Sequence, residues 1–150
     1  MGSNSGLISA TLPQSSAREA ERRLGDRIQA AARSEKPFTD LVKRLKAYFA
    51  GKKVDFPDEL DLSSATTFER QVWRLVRLIP YGETRSYGWI AKQMGKSGAA
   101  RAVGQALARN PLPIIIPCHR VVSDGGLGGY SGGLVVKRVL LHLEASAIAR

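Results

Sequence analysis

Cys118 is the single cysteine among 150 residues, and His119 follows it directly in "PIIIPCHRVV". A thiol becomes a nucleophile when a base holds or removes its proton. The base needs an orienting group in turn, and Glu144, late in the last helical pattern, offers one if that helix packs back across the Cys118 loop. Adjacent side chains do not automatically face each other, and a lone cysteine beside a histidine is more often an inert part of a core. Three features favour chemistry. "PIIIP" predicts an extended segment that presents Cys118 at the end of a rigid strand. The glycines of "SDGGLGGYSGG" let backbone N–H groups approach a ligand closely. Tyr130 and Ser131 lie inside that loop and can supply hydrogen bonds.

A chain of this length can bury a core of its own, as one domain or one domain with a small subdomain. With 43% hydrophobic and 24% charged residues it reads as globular. No apolar run is long enough to span a bilayer, and no signal-peptide pattern is present. One cysteine allows no internal disulfide, which fits a reducing interior: cytoplasmic, or nuclear in a eukaryote. The net charge of +10 favours a polyanionic partner, because a basic face attracts phosphates and releases their counterions.

The elements that must hold these residues follow from periodicity. "MGSNSG" has neither period nor bulk, and "LISATL" alternates like a short strand with no obvious partner. Ser16 and Glu19 have capping-box spacing, with Ala20, Leu24, Ile28 and Ala31 on one helical face. Pro37 opens a second helix that points Leu41, Leu45 and Tyr48 inward and stops at Gly51. "KKVDFPDELDL" reads as a linker, so residues 1–60 are expected to form a small N-terminal subdomain and linker, and residues 61–150 the rest. Thr66 and Glu69 repeat the capping-box spacing ahead of an apolar stripe of Phe68, Val72, Leu75, Val76 and Ile79. A short helix from about Ser86 to Gln93 buries Ile90, Ala91 and Met94. Gly95 ends it, Ser97 caps the next, and a helix of small residues runs from about Ala99 to Arg109. Helix, tight glycine turn and helix make a helix-turn-helix. "PLPIII" reads as extended, and "LVVKRVLLHLE" as a final amphipathic helix.

The second helix of that pair carries almost no bulk at Ala99, Ala100, Ala102 and Gly104. Such a surface serves either close helix packing or entry into a nucleic-acid groove. For the second use Arg101 is the long cationic side chain at its start, and Lys96 and Ser97 sit in the turn where phosphate contacts form. Together with the basic charge, the pattern favours DNA.

"RAVGQALARNPLPIIIPCHRVVSDGGLGGYSGGLVVKRVLLHLE" resembles the active-site region of the O6-alkylguanine-DNA alkyltransferases, and "TTFERQVWRLVRLIPYGETRSYGWIA" matches upstream. The resemblance covers roughly Phe38 to Glu144. It implies an α+β, mainly helical fold, with a C-terminal helix-turn-helix (winged-helix-like) alkyltransferase domain and a reduced N-terminal α/β subdomain. It implies stoichiometric, suicidal repair of duplex DNA: the damaged base is flipped from the minor-groove side and its alkyl group moves from guanine O6 to Cys118. Glu144 then orients His119, which acts on Cys118 through a water. Arg101 matches the arginine that fills the vacated base stack. Tyr87 matches the tyrosine that crowds the target phosphate and can give a proton to the departing guanine. Val121, Tyr130 and Ser131 match guanine-pocket positions, and Asn110 matches the asparagine that ties the recognition helix to the active-site strand. No cofactor is implied, and the expected protein is a monomer without membrane contact.

The chain departs from the family at its start. Members usually carry a strand hairpin ahead of the segment resembling "GLISATLP"; none is expected here. Some hold a zinc ion with N-terminal cysteines and histidines, but this chain has only Cys118, His119 and His142, so no zinc is expected. Arg109 stands where some relatives have glycine and can add a phosphate contact. Rival readings are a non-enzymatic helix-turn-helix sensor of alkylated DNA, a regulator with an incidental cysteine, and a cysteine hydrolase. Sensors replace the cysteine, and a regulator has no use for "PCHR", the glycine loop and Glu144 together.

Overall fold

The computed structural model describes residues 1–25, 28–29 and 31–149. Six α-helices are found among the described residues: α1 (Ala17–Leu24), α2 (Thr39–Phe49), α3 (Thr67–Arg77), α4 (Tyr87–Gln93), α5 (Ala100–Ala108) and α6 (Leu134–Ile148). Four two-residue strands join them. β1 (Gly2–Ser3) and β2 (Gly6–Leu7) pair antiparallel, while β3 (Arg85–Ser86) and β4 (Val121–Val122) pair parallel. The fold is mainly helical α+β.

α3 is the spine. Thr66 Oγ1 accepts from the Glu69 N–H at 3.1 Å, and Glu69 accepts from the Thr66 N–H at 3.0 Å. That reciprocal cap stabilises the helix start by about 1 kcal/mol. Val72, Trp73 and Val76 are buried, and the Trp73 indole donates to the Ala106 carbonyl at 3.0 Å, fastening α3 to α5. α4 begins where Ser86 Oγ accepts from the Trp89 N–H at 2.9 Å. It ends in a Schellman turn: Gly95 takes φ +70° and donates to Lys92 at 3.0 Å, and Lys96 donates to Ala91 at 2.9 Å. α5 follows and buries Val103, Ala106 and Leu107. This is the helix-turn-helix read from the sequence.

Several local expectations fail. Ser97 does not cap α5: Ala99 holds that position without a side-chain bond, because a turn from the Ala99 N–H to the Lys96 carbonyl, 2.8 Å, delays the helix. α1 stops at Leu24 against Gly25 at φ +77° and buries none of its residues, so Ile28 and Ala31 do not extend its face. Residues 26, 27 and 30 of that expected helix lie outside the described residues. "MGSNSG" is not structureless but forms the β1–β2 hairpin. Leu7 then docks on the segment before α3, donating to Glu59 and accepting from Asp61 at 2.9 and 2.7 Å.

"PLPIII" is a turn, not a strand. The Ile116 N–H donates back to Leu112 at 2.9 Å, and Ile114 adopts φ +74°. A β-branched residue in that conformation costs about 1–2 kcal/mol. Burial in two directions outweighs the cost: Ile114 joins Tyr48, Tyr81 and Leu140, while Ile115 and Ile116 enter the main core with α3 and α5. No helix among the described residues is long and apolar enough to cross a membrane.

Candidate active site

Pro117 ends the isoleucine turn and Cys118 opens a short 3₁₀ turn, Cys118–Arg120. The turn delivers β4 to β3 in the register Arg85↔Val121 and Ser86↔Val122, which sets Tyr87, the next residue after β3, beside the cysteine loop. Cys118, 5% exposed, borders a cavity of about 490 Å³. One wall of that cavity is α5, through Ala100, Gly104, Leu107 and Ala108; the opposite rim is Gly129, Tyr130 and Ser131, and Tyr87 also lines it. The small residues of α5 therefore open onto the thiol.

Asn110, just past α5, uses one amide nitrogen twice: it donates to Cys118 Sγ at 3.0 Å and to the Ile116 carbonyl at 2.8 Å. Its Oδ1 accepts from the Leu112 N–H at 2.9 Å, which fixes the amide orientation. Tyr87 exchanges hydrogen bonds with Gly129, accepting from its N–H at 3.2 Å. Gly128 must be glycine here: it has φ +71°, and a Cβ would stand 2.6 Å from the Tyr87 hydroxyl.

Next to Cys118 in the chain, His119 belongs to a buried pair. His119 and Glu144 are 0% and 1% exposed, and His119 Nε2 lies 2.5 Å from Glu144 Oε2. Nε2 therefore carries the proton toward the carboxylate, and Nδ1 is left buried without a partner among the described residues. Arg120 grips both carboxylate oxygens, at 2.8 and 3.2 Å, and also donates to the Ile79 carbonyl at 2.8 Å. The Gly82 N–H adds a further bond at 3.0 Å. Burial works against the Glu144 charge, but the bonds and charge of His119, then Arg120 and Tyr48, outweigh it and bring its pKa down to about 2.

The two groups ahead of it respond differently. Burial pushes the Cys118 thiol up, against the Asn110 bond and the positive charge of Lys137. Burial lowers His119, against the bond and charge of Glu144. At neutral pH the resting pair is thus a thiol and a neutral imidazole, and the sulfur is not partly ionised at rest. Burial, then the charge of Cys118, raises Tyr130.

Of the residues expected from sequence, Cys118, Tyr87, Tyr130 and Ser131 line the cavity, Asn110 bonds the Cys118 sulfur, and His119 and Glu144 pair with each other in the interior. Val121 does not line the cavity; it is fully buried in the core, and its carbonyl accepts from Lys137 at 2.7 Å. Arg101, Lys96 and Ser97 are exposed around the start of α5, with Ala102 half-buried. Lys96 lies over the Phe68 ring at 5.3 Å. Arg109 reaches Glu69 at 3.5 Å rather than standing alone.

Sequence reading missed Arg120, Lys137 and, as a site residue, Tyr48. Lys137 is fully buried, and its ammonium also donates to the Gly129 carbonyl at 2.9 Å and to that of Leu127. A signal for it existed: Lys137, Leu140 and Glu144 stand at i, i+3 and i+7, so two charges lie on the inward stripe of α6.

Fold and site together define a class of protein: a helix-turn-helix whose second helix walls a cavity bordered by a thiol, with a buried histidine–glutamate pair following that thiol in the chain. Residues 67–146 match the family model described as 6-O-methylguanine DNA methyltransferase, DNA binding domain, and residues 1–62 match that family's ribonuclease-like domain. The chain belongs to the 6-O-methylguanine DNA methyltransferase family. It is 56% identical over 110 residues to the methylated-DNA--protein-cysteine methyltransferase of Mycobacterium bovis, a match covering 73% of this chain and 66% of that protein. The crystal structure of Mycobacterium tuberculosis OGT in complex with DNA superposes with a TM-score of 0.70 at 55% identity, over 73% of this chain and 68% of that one. An O6-methylguanine DNA methyltransferase from Methanococcus jannaschii gives 0.68 at 34% identity, over 97% and 86%.

Proposed function

We propose that this chain is a single-turnover DNA repair protein that moves an alkyl group from guanine O6 in duplex DNA to Cys118. The observation that carries the reading is the shared cavity: α5, the helix set for DNA, and the thiol line the same space. The basic charge and the DNA-bound relative agree with it. The family assignment and the curated relatives' names supply the reaction.

In this reading α5 enters the minor groove, with Lys96, Ser97 and Ala102 at the backbone. Arg101 takes the place of the nucleotide that swings out, offsetting part of the few kcal/mol that unstacking costs. The flipped guanine enters between Leu107 and Tyr130, and Ser131 and the loop backbone read its edge. His119 Nδ1 takes the thiol proton through a water, with Glu144 holding the imidazole. The sulfur attacks the alkyl carbon, the carbon–O6 bond breaks, and the electron pair stays on O6. The guanine then needs one proton, which Tyr87 supplies, and the thiol proton held on His119 returns through solvent to the Tyr87 phenolate. Sulfur and carbon are left joined as a thioether, which no group in the site can cleave, so each molecule acts once.

The protein works as a monomer in the cytoplasm, and residues 1–60 serve as a subdomain supporting a DNA-binding and catalytic part at 61–150. Titrating excess duplex carrying O6-methylguanine tests the reading: one lesion is repaired per protein molecule. Repair of many lesions per molecule, or of none, contradicts it.

A further inference from the structure

Among the described residues, Glu144 receives one hydrogen bond from outside the C-terminal half of the chain. The Tyr48 hydroxyl, on α2, donates to Glu144 Oε2 at 2.6 Å and lies 3.4 Å from His119 Nε2. It meets the same carboxylate oxygen that faces the imidazole. Tyr48 is 0% exposed, although it belongs to the segment that matches the ribonuclease-like domain model. Its ring is fixed from several sides, edge-on to Phe49 and Tyr81 at 5.4 and 6.0 Å and tilted against Phe56 at 6.1 Å. A phenol needed only for packing would not require so short a bond to a buried carboxylate.

We propose that Tyr48 is a positioning residue for alkyl transfer, through which the N-terminal subdomain completes the His119–Glu144 relay. The inference rests on the relay proposed above. Arg120 and Gly82 hold Oε1 at 2.8 and 3.0 Å, while Arg120 reaches Oε2 only at 3.2 Å; the phenol, at 2.6 Å, is the shorter bond to Oε2 and helps aim that oxygen at Nε2. The phenol also draws charge from Oε2, so an imidazolium opposite it is less stabilised and the resting imidazole stays unprotonated to lower pH. The groups that set this balance are few. Arg120, His119 and Tyr48 face Glu144, Tyr81 and Arg120 act on Tyr48, and Arg120 and Lys137 act on His119.

The test uses the full chain and single-turnover transfer from duplex O6-methylguanine across pH, for Tyr48→Phe, Glu144→Gln and the double variant. Tyr48→Phe keeps the ring. It is expected to bind duplex with unchanged affinity, to transfer roughly tenfold more slowly, the size of one lost bond to a charged group, and to show its acid limb at higher pH. Added to Glu144→Gln it should cost little more. An unchanged rate and limb, or a loss that adds in full to Glu144→Gln, overturns the proposal. Glu144→Gln transferring at the unsubstituted rate would instead overturn the relay. Should either variant fail to fold, Tyr48→3-fluorotyrosine, a stronger donor of similar size, moves the acid limb to lower pH if the inference holds; an unmoved limb overturns it.

Discussion

Lys137 Nζ on α6 and the Gly129 carbonyl stand 2.9 Å apart, which ties the last helix to the rim of the thiol cavity. The same carbonyl lies 3.3 Å from the Tyr87 hydroxyl, and the same ammonium holds Val121 and Leu127. One buried cation therefore sets the shape of the loop that carries Tyr130 and Ser131.

Lys137→Met is expected to lose both stability and transfer. Three carbonyls lose their common donor, and each buried group left unpaired costs about 1–3 kcal/mol, so a total loss of roughly 3 kcal/mol is expected after partial resolvation. Urea denaturation measures it. Transfer should fall further than stability explains, because Lys137 also supplies the positive charge that favours the thiolate. A variant with unchanged midpoint and rate would remove the lysine from the site.

The rate of transfer should be flat across neutral pH. Burial holds His119 below its ordinary value, so it is an unprotonated base at neutral pH, and activity is lost only as pH falls through its lowered pKa. Cys118 sits above 9.0, so direct ionisation adds to the rate only beyond that. Reaction with a free O6-alkylguanine base, which needs no DNA binding, isolates these steps. A rate that climbs tenfold per unit from pH 6.5 to 9 would mean a thiol titrating without its relay.

Arg101 is exposed at the first turn of α5, outside the residues that line the cavity. Arg101→Ala should therefore slow repair in duplex by tenfold or more, about the unstacking energy it offsets, while reaction with the free base hardly changes. Single-turnover rates on both substrates decide this. Equal losses on the two would place Arg101 in the chemistry rather than in base extrusion.

The features legible in the sequence are those set by local rules. The Thr66–Glu69 cap, the Gly95 stop and the small face of α5 each follow from a few neighbouring residues, and each is present. The His119–Glu144 pairing was legible as a possibility, since helix α6 had only to fold back. What escaped depends on contacts between distant segments. Three isoleucines between prolines favour a strand by propensity, yet Ile114 turns at φ +74° because two separate clusters need its neighbours and itself. Tyr48 showed its inward direction in the helical period of α2 but not its partner, which lies 96 positions away. Arg120, charged and 7% exposed, looks in sequence like a surface residue of the "CHR" turn.

The central claim is tested by weighing one peptide. After incubation with duplex DNA carrying O6-methylguanine, the peptide containing Cys118 should gain the mass of a single methylene, with guanine restored in the duplex. An unmodified Cys118 in folded protein that binds the duplex would contradict it.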